Sequence, residues 1–427
     1  MAAAQEPDGK GRTMALVAAF LGWMFDGLEM GLFPLAGRPA LKQLLASTGG
    51  SDADIGPWFA GIIAAFLIGA AAGGILFGWL GDRVGRVKAM VWSVATYSIF
   101  SGLCGFATAP WQIGVLRFIA SLGMGGEWSL GVALISEIWP AKARPLLSGL
   151  IGAAANVGFF MVGAIALLLN RYGKTFSHFF NDAPLWRLLF IAGAVPALLT
   201  FFIRMFVPES EKWKSATSSG PKPSVADIFA PGIARLTVLG ALLAGMALVG
   251  TWASVQWIPS WTMSMTKNDP NSADKAAWAQ MFAALGAVVL PLVVALLAER
   301  YNRRYTYMAI CIGSVIACEV LYLLPQTYGF RFLLIVTLVN GITGAFYGWL
   351  PLYLPELFPT RIRATGSGFC FNIGRVLSAA GALFGGQLLK VFDGNYARMG
   401  SIICTVYLLG LVVIYFCPET KGKPLPE

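Results

Sequence analysis

Apolar residues along the chain gather into twelve runs, at roughly 13–35, 56–80, 88–107, 111–138, 146–170, 185–207, 236–260, 276–298, 306–325, 330–355, 364–390 and 397–417. An α-helix needs about 20 such residues to cross a bilayer, so each run has the length of a membrane span. Polar connectors between runs are short except one, 208–235, which carries Glu211-Lys212-Trp213-Lys214 and a Ser/Pro-rich stretch. The pattern predicts an all-α membrane protein with twelve transmembrane helices in two six-helix bundles, 1–207 and 236–427. The segment 208–235 reads as a linker on the cytoplasmic side.

Composition agrees with that pattern. Charged residues make up 12% of the 427, against about 25% in ordinary soluble domains. The 50 glycines and 14 tryptophans suit lipid, where Gly packs helices and Trp marks interfaces. Twelve spans leave no room for a large soluble catalytic domain. The six cysteines all lie in or beside apolar runs without metal-ligand spacing, and no nucleophile–base set appears. An enzyme, a metal and a cofactor are therefore not expected. The first run holds Asp26 and Glu29, which does not suit a cleaved signal peptide.

The net charge of +10 would suggest nucleic acid in a soluble protein. Its distribution says otherwise. With the N-terminus inside, 18 of the 31 Lys and Arg fall in cytoplasmic segments and 10 outside, while Arg117, Arg204 and Arg375 lie within spans. Both termini are expected in the cytoplasm, in a multi-pass protein of the cell membrane.

The chain also repeats itself. Glu137-Ile-Trp-Pro140-x-x-x-Arg144 recurs 219 residues later as Glu356-Leu-Phe-Pro359-x-x-x-Arg363. Asp82-Arg83-x-Gly85-Arg86 returns as Glu299-Arg300-x-Asn302-Arg303, and Pro208-Glu209 as Pro418-Glu419. Two homologous halves suit a carrier that rocks about a site near the midplane.

Gly78-Trp-Leu-Gly-Asp82-Arg83-Val-Gly85-Arg86 resembles the loop 2–3 signature of the major facilitator superfamily. The stretch from Arg117 through Gly125-Gly126-Glu127-Trp128 to Glu137 and Arg144 resembles its fourth-span signature. Asp26-Gly27-Leu28-Glu29 is similar to the Asp-Gly-x-Asp motif of aromatic-acid:proton symporters, and the Gly-Gly-Glu-Trp of span four resembles the sialate, lactate and metabolite:proton symporters. The paired glutamines of sugar porters are missing from span seven, and the Gly-Pro motif of drug antiporters from span five. The resemblance implies proton-coupled import of a small organic anion, a carboxylate, by a monomeric carrier in the lipid bilayer. A sugar or polyol porter and a non-transporting receptor or scaffold are the alternatives.

Charged residues inside spans are costly and face a partner or a cavity. Asp26 and Glu29 are neighbours on one helix face. At about 1.5 Å per residue, Asp26 and Arg117 come to similar depth, so an Asp26–Arg117 pair is geometrically open. Asp26, Glu29, Arg117 and Glu127 are the candidate proton-coupling residues; a static bridge between spans one and four is the competing reading. Arg375 falls near the midplane and, on the 219 offset, opposite Asn156. A guanidinium there can hold a carboxylate through two hydrogen bonds, unless it is a structural partner of Glu319. Asn372, Tyr347, Trp128 and Gln256 complete the candidate substrate set, with Trp252, Trp257, Trp349 and Tyr353 as further candidate aromatic walls. Asp82, Arg83, Gly85, Arg86, Glu137 and Arg144 are the candidate gate.

Overall fold

The computed structural model describes residues 9–51, 54–178, 184–218 and 224–426, and helices account for nearly all of them. The first half contains α1 (Gly9–Thr48), α2 (Ile55–Val84), α3 (Arg86–Cys104), α4 (Pro110–Ile138), α5 (Arg144–His178), α6 (Leu185–Ala192) and α7 (Ala197–Phe206). A short helix, α8 (Glu211–Ser218), precedes the second half. That half contains α9 (Ala234–Ala253), α10 (Ile258–Met265), α11 (Ser272–Arg300), α12 (Arg303–Leu323), α13 (Phe330–Gly344), α14 (Phe346–Tyr353), α15 (Arg363–Val391), α16 (Tyr396–Cys404) and α17 (Val406–Tyr415).

Eleven helical stretches among the described residues are long and apolar enough to cross a membrane. The sixth apolar run forms a shorter apolar stretch, Leu185–Leu199, and it turns between α6 and α7. Pro196 supplies the reason: it has no N–H, and its ring would collide with the carbonyl of Ala192, where α6 stops. The run still extends from Leu185 to Phe206 and completes the twelve-helix, two-bundle fold. Large apolar side chains face outward on every side; Leu198, Met205 and Val391 are 70%, 73% and 70% exposed. Apolar exposure spread this widely fits a surface wetted by lipid.

The sequence repeat is visible as a pair of matching ion clusters at one end of the molecule. Arg86 donates to Asp82 at 2.5 Å and to Glu137 at 2.9 Å. Arg303, its counterpart, donates to Glu299 at 2.8 Å and to Glu356 at 2.9 Å. The two Pro-Glu pairs also have one job. Glu209 accepts from the backbone N–H groups of Arg86 and Val87, at 3.0 and 3.2 Å, and Glu419 accepts from those of Arg303 and Arg304, both at 3.1 Å. Each carboxylate caps a helix start, α3 or α12, whose first N–H groups have no intrahelical partner. Gly85 makes the first cap accessible: its φ is +114°, and a Cβ there would lie 2.3 Å from Glu209 Oε2. Both ends of the described chain lie here too, since Trp139 Nε1 donates to Arg12 O and Arg363 Nη2 to Pro426 O.

The segment read as a linker is partly helical. Ser210 Oγ accepts the Trp213 N–H at the start of α8, and Lys214 pairs with Glu211 at 2.6 Å. Trp213 Nε1 donates to Asp82 O at 2.8 Å, so α8 packs on the ion cluster of the first half. Residues 219–223 of this segment lie outside the described residues.

Candidate functional site

A cavity of about 60 Å3, room for about four to six waters, lies between the two halves. The first half contributes Trp23 and Met30 of α1 and Asn156 and Phe159 of α5. Tyr347 of α14 and Phe371 and Arg375 of α15 come from the second half, with Thr251, Trp252 and Gln256 nearby in sequence and Asn340 of α13. Glycine permits this close assembly: a Cβ on Gly27 of α1 would meet Ala155 O at 1.9 Å, so only Gly lets α1 and α5 approach so near.

Arg375 is the single charged side chain among the described residues that line the cavity. It is almost fully buried, at 2% exposure. Asn372 Oδ1, one turn earlier, accepts from Arg375 Nη1 at 2.6 Å, while Asn372 Nδ2 donates to Gly368 O at 2.9 Å. The amide therefore orients the guanidinium from below. Aromatic rings hold its other sides, with the guanidinium carbon 5.3 Å from the Phe371 ring centroid and 5.9 Å from that of Trp23. Phe371 in turn stacks on Trp128, centroids 4.0 Å apart and planes at 12°. A planar cation framed by aromatic faces and a fixed amide presents its remaining donors in a set direction.

Asn156, Tyr347, Gln256 and Arg375 thus meet at one cavity, whereas Trp128 and Asn372 lie behind it. Trp128 is sealed under Phe371, and Asn372 is occupied with Arg375. Asn156 Nδ2 donates to Ala287 O at 3.2 Å, which ties α5 to α11, and Tyr347 shares a hydrogen bond with Thr251 at 2.9 Å. Trp252 lines the cavity, but Trp349 and Tyr353 do not. They brace the polar end instead, donating to Arg303 O and Pro418 O. Glu319 is not a partner of Arg375; it accepts from Ser401 Oγ at 2.7 Å. Trp23 and Phe371 were absent from the sequence-derived set. They sit three and four residues before Asp26 and Arg375, so helical spacing alone marks them as facing the same way.

The expected Asp26–Arg117 pair is not formed. Arg117 pairs with Glu29, which also accepts from Ser101 Oγ, and the Arg117 guanidinium lies 4.4 Å from the Phe66 ring. Equal depth was not enough: three residues of helix rotate Asp26 about 60° from Glu29, and Glu29 is the one that meets Arg117. Asp26 is fully buried, and neither of its oxygens has a hydrogen-bond partner among the described residues. Its charged neighbours are Glu127, Arg375 and Glu29. Glu127 is buried against α1, where a Cβ on Gly22 would come 2.4 Å from Glu127 Oε2.

At the polar end the halves are joined by hydrogen bonds. Asp82 accepts from the Thr365 N–H at 2.7 Å and the Ala364 N–H at 3.4 Å, and Arg86 donates to Thr360 O at 3.2 Å. Glu137 lies 3.5 Å from Arg363 of the other half. Arg83 takes no part in this network; it is exposed, with its guanidinium 4.9 Å from the Trp79 ring. Arg144 lines a small crevice with Glu356, also between halves.

Comparison with known proteins bears on this arrangement. The profile of the Major Facilitator Superfamily matches residues 14–327 and again 262–427. A probable 4-methylmuconolactone transporter of Cupriavidus pinatubonensis is 29% identical over 95% of this chain and 90% of its own. The cis,cis-muconate transport protein of Acinetobacter baylyi is 28% identical, covering 96% and 95%. Among solved structures, the proton:xylose symporter XylE superposes with a TM-score of 0.80 at 18% identity, over 98% of both chains, a likeness of fold.

Proposed function

The chain belongs to the Major Facilitator Superfamily, and from that premise we propose that it imports a small organic anion bearing one carboxylate, together with protons. It is a multi-pass membrane transporter of small molecules and not an enzyme. The observation that carries the anion reading is Arg375, the single charge among the described residues lining a cavity whose other walls are aromatic, amide, hydroxyl and aliphatic. One guanidinium matches one carboxylate, and the flat walls suit a planar, conjugated body. Relatives named for cis,cis-muconate, a conjugated dicarboxylate, and for 4-methylmuconolactone support an unsaturated organic-acid cargo, though not the count of one carboxylate. Trp23 Nε1, buried without a partner, supplies a second donor on the same wall.

Protons enter through Asp26. A buried carboxylate with no hydrogen bond is held either by a neighbouring cation or by a proton. Arg375 serves Asp26 while the cavity is empty; when a substrate carboxylate takes over the guanidinium, Asp26 takes a proton, with Glu127 beside it to share the site. Glu29 and Arg117 are committed to each other and tie α1 to α4. The carrier works as a monomer of two bundles, 1–207 and 236–427, with 208–235 between them. Both termini and the polar end face the cytoplasm, as the charge bias requires. Asp82, Gly85, Arg86, Glu137 and Arg144 then form the inner gate.

The test is uptake by purified protein in proteoliposomes. A panel of radiolabelled monocarboxylates, dicarboxylates and sugars is offered with and without an inward proton gradient. Gradient-driven accumulation of a planar monocarboxylate is expected. Accumulation of a neutral sugar in its place would refute the reading.

A further inference from the structure

The crevice beside Arg144 is closed by the chain's own tail. Its walls are Ile135 of α4 and Ser148 and Ile151 of α5 on one side, and Leu352 of α14 and Pro355 on the other, with Leu425 completing the lining. Residues 421–424 are exposed, whereas Leu425 and Pro426 are half-buried, so the tail leaves the surface and then returns to it. It is fixed at both points. Upstream, Thr420 Oγ1 donates to Glu356 Oε2 at 2.6 Å and Lys421 Nζ to Arg300 O at 2.9 Å, both in the second half. Downstream, Arg363 Nη2 donates to Pro426 O at 2.9 Å, and the same guanidinium lies 3.5 Å from Glu137 of the first half.

We propose that this crevice is a peptide-binding site against which the segment 425–426 docks, and that the docked segment latches the polar end of the two halves shut. Leu425 lines the crevice together with α4–α5 of one half and α14 of the other, so that lining is complete only while the two halves stay together. Opening at this end strips Leu425 of one wall and separates Arg363 from Glu137. A ligand that binds one state better shifts the balance toward it, and a tethered ligand does so at high local concentration. Pro424 and Pro426 restrict the backbone on either side of Leu425, which lowers the entropy lost on docking. The inference rests on the two-half fold alone and needs neither the substrate nor the proton assignment.

Spin labels at Lys88→Cys of α3 and Tyr305→Cys of α12, both exposed at this end, report the gap between halves in the full-length protein. Removing residues 425–427, or introducing Leu425→Gly, is expected to raise the ratio of the long-distance to the short-distance population about fivefold, the scale set by half-burying one leucine. A peptide of the sequence KGKPLPE, added in excess to the shortened protein, should return the ratio toward that of the intact chain; the peptide with glycine in place of leucine should not. Unchanged distance distributions in both the deletion and Leu425→Gly would overturn the proposal, as would a peptide that acts equally well without its leucine.

Discussion

Asp82, the last acidic residue of α2, accepts two hydrogen bonds from Thr365 of the opposite half, 2.7 Å from its N–H and 2.5 Å from its hydroxyl. The same carboxylate holds Arg86, so one side chain serves both its own helix pair and the seam between bundles. Thr365→Val removes only the hydroxyl bond and should weaken the closed state by about 1 kcal/mol, roughly fivefold in population. Asp82→Ala, which also takes from Arg86 one of its two carboxylate partners and leaves only Glu137, should cost more, on the order of a few kcal/mol. Thiol labelling of a cysteine placed at the seam will compare the two. Equal, wild-type protection in Thr365→Val would remove Thr365 from the lock.

Substrate affinity should depend on Arg375 through geometry as well as charge. Arg375→Ala is expected to lose a hundredfold or more, since breaking a buried charge pair costs on the order of 3–5 kcal/mol. Arg375→Lys keeps the charge but loses the planar fork and should recover little. Asn372→Ala leaves the cavity lining intact yet frees the guanidinium, and about a tenfold loss is expected, the worth of a hydrogen bond to a charged group. Binding measured on monodisperse protein decides this. A folded Arg375→Ala variant with wild-type affinity for its carboxylate ends the anion assignment.

Asp26→Asn should separate transport from its energy source. The amide keeps the shape of the side chain and cannot exchange a proton, so gradient-driven accumulation is expected to vanish while substrate exchange persists. With the proton as the proposed co-substrate, uptake by the unmodified protein should rise as external pH falls and flatten once the site stays protonated. Counterflow and gradient-driven uptake, run on the same vesicles, give both readouts. A mutant that still concentrates substrate would move coupling elsewhere.

The Glu29–Arg117 pair makes the opposite prediction. Removing one partner by Glu29→Gln or Arg117→Leu leaves a buried charge unpaired and should destabilise the protein by about 3–5 kcal/mol, whereas replacing both by leucine should restore much of that loss. Thermal unfolding in detergent is the measurement. If the double substitution folds well yet abolishes proton-driven uptake, the pair belongs to coupling rather than to the scaffold.

Much of this architecture is written in the order of residues. Spans follow from run lengths set against bilayer thickness, and the two halves follow from motifs that recur 219 residues apart. The repeated Pro-Glu pairs could be read as repeats, but their task as caps of α3 and α12 required the fold, because each acts on residues more than a hundred positions away. Arg375 and Asn156 were placed together by the repeat alone, since symmetry carries depth and facing at once. Asp26 and Arg117 were matched by depth only, and that failed. Rise along a helix is fixed by residue number, but rotation toward a neighbour depends on where the neighbouring helix packs. Glu29 met Arg117 because α4 lies on its side of α1, and Trp128 was sealed behind Phe371 because α15 crosses it. Composition determines that the helices enter lipid; which faces meet inside is decided by side-chain fit between segments far apart in the chain.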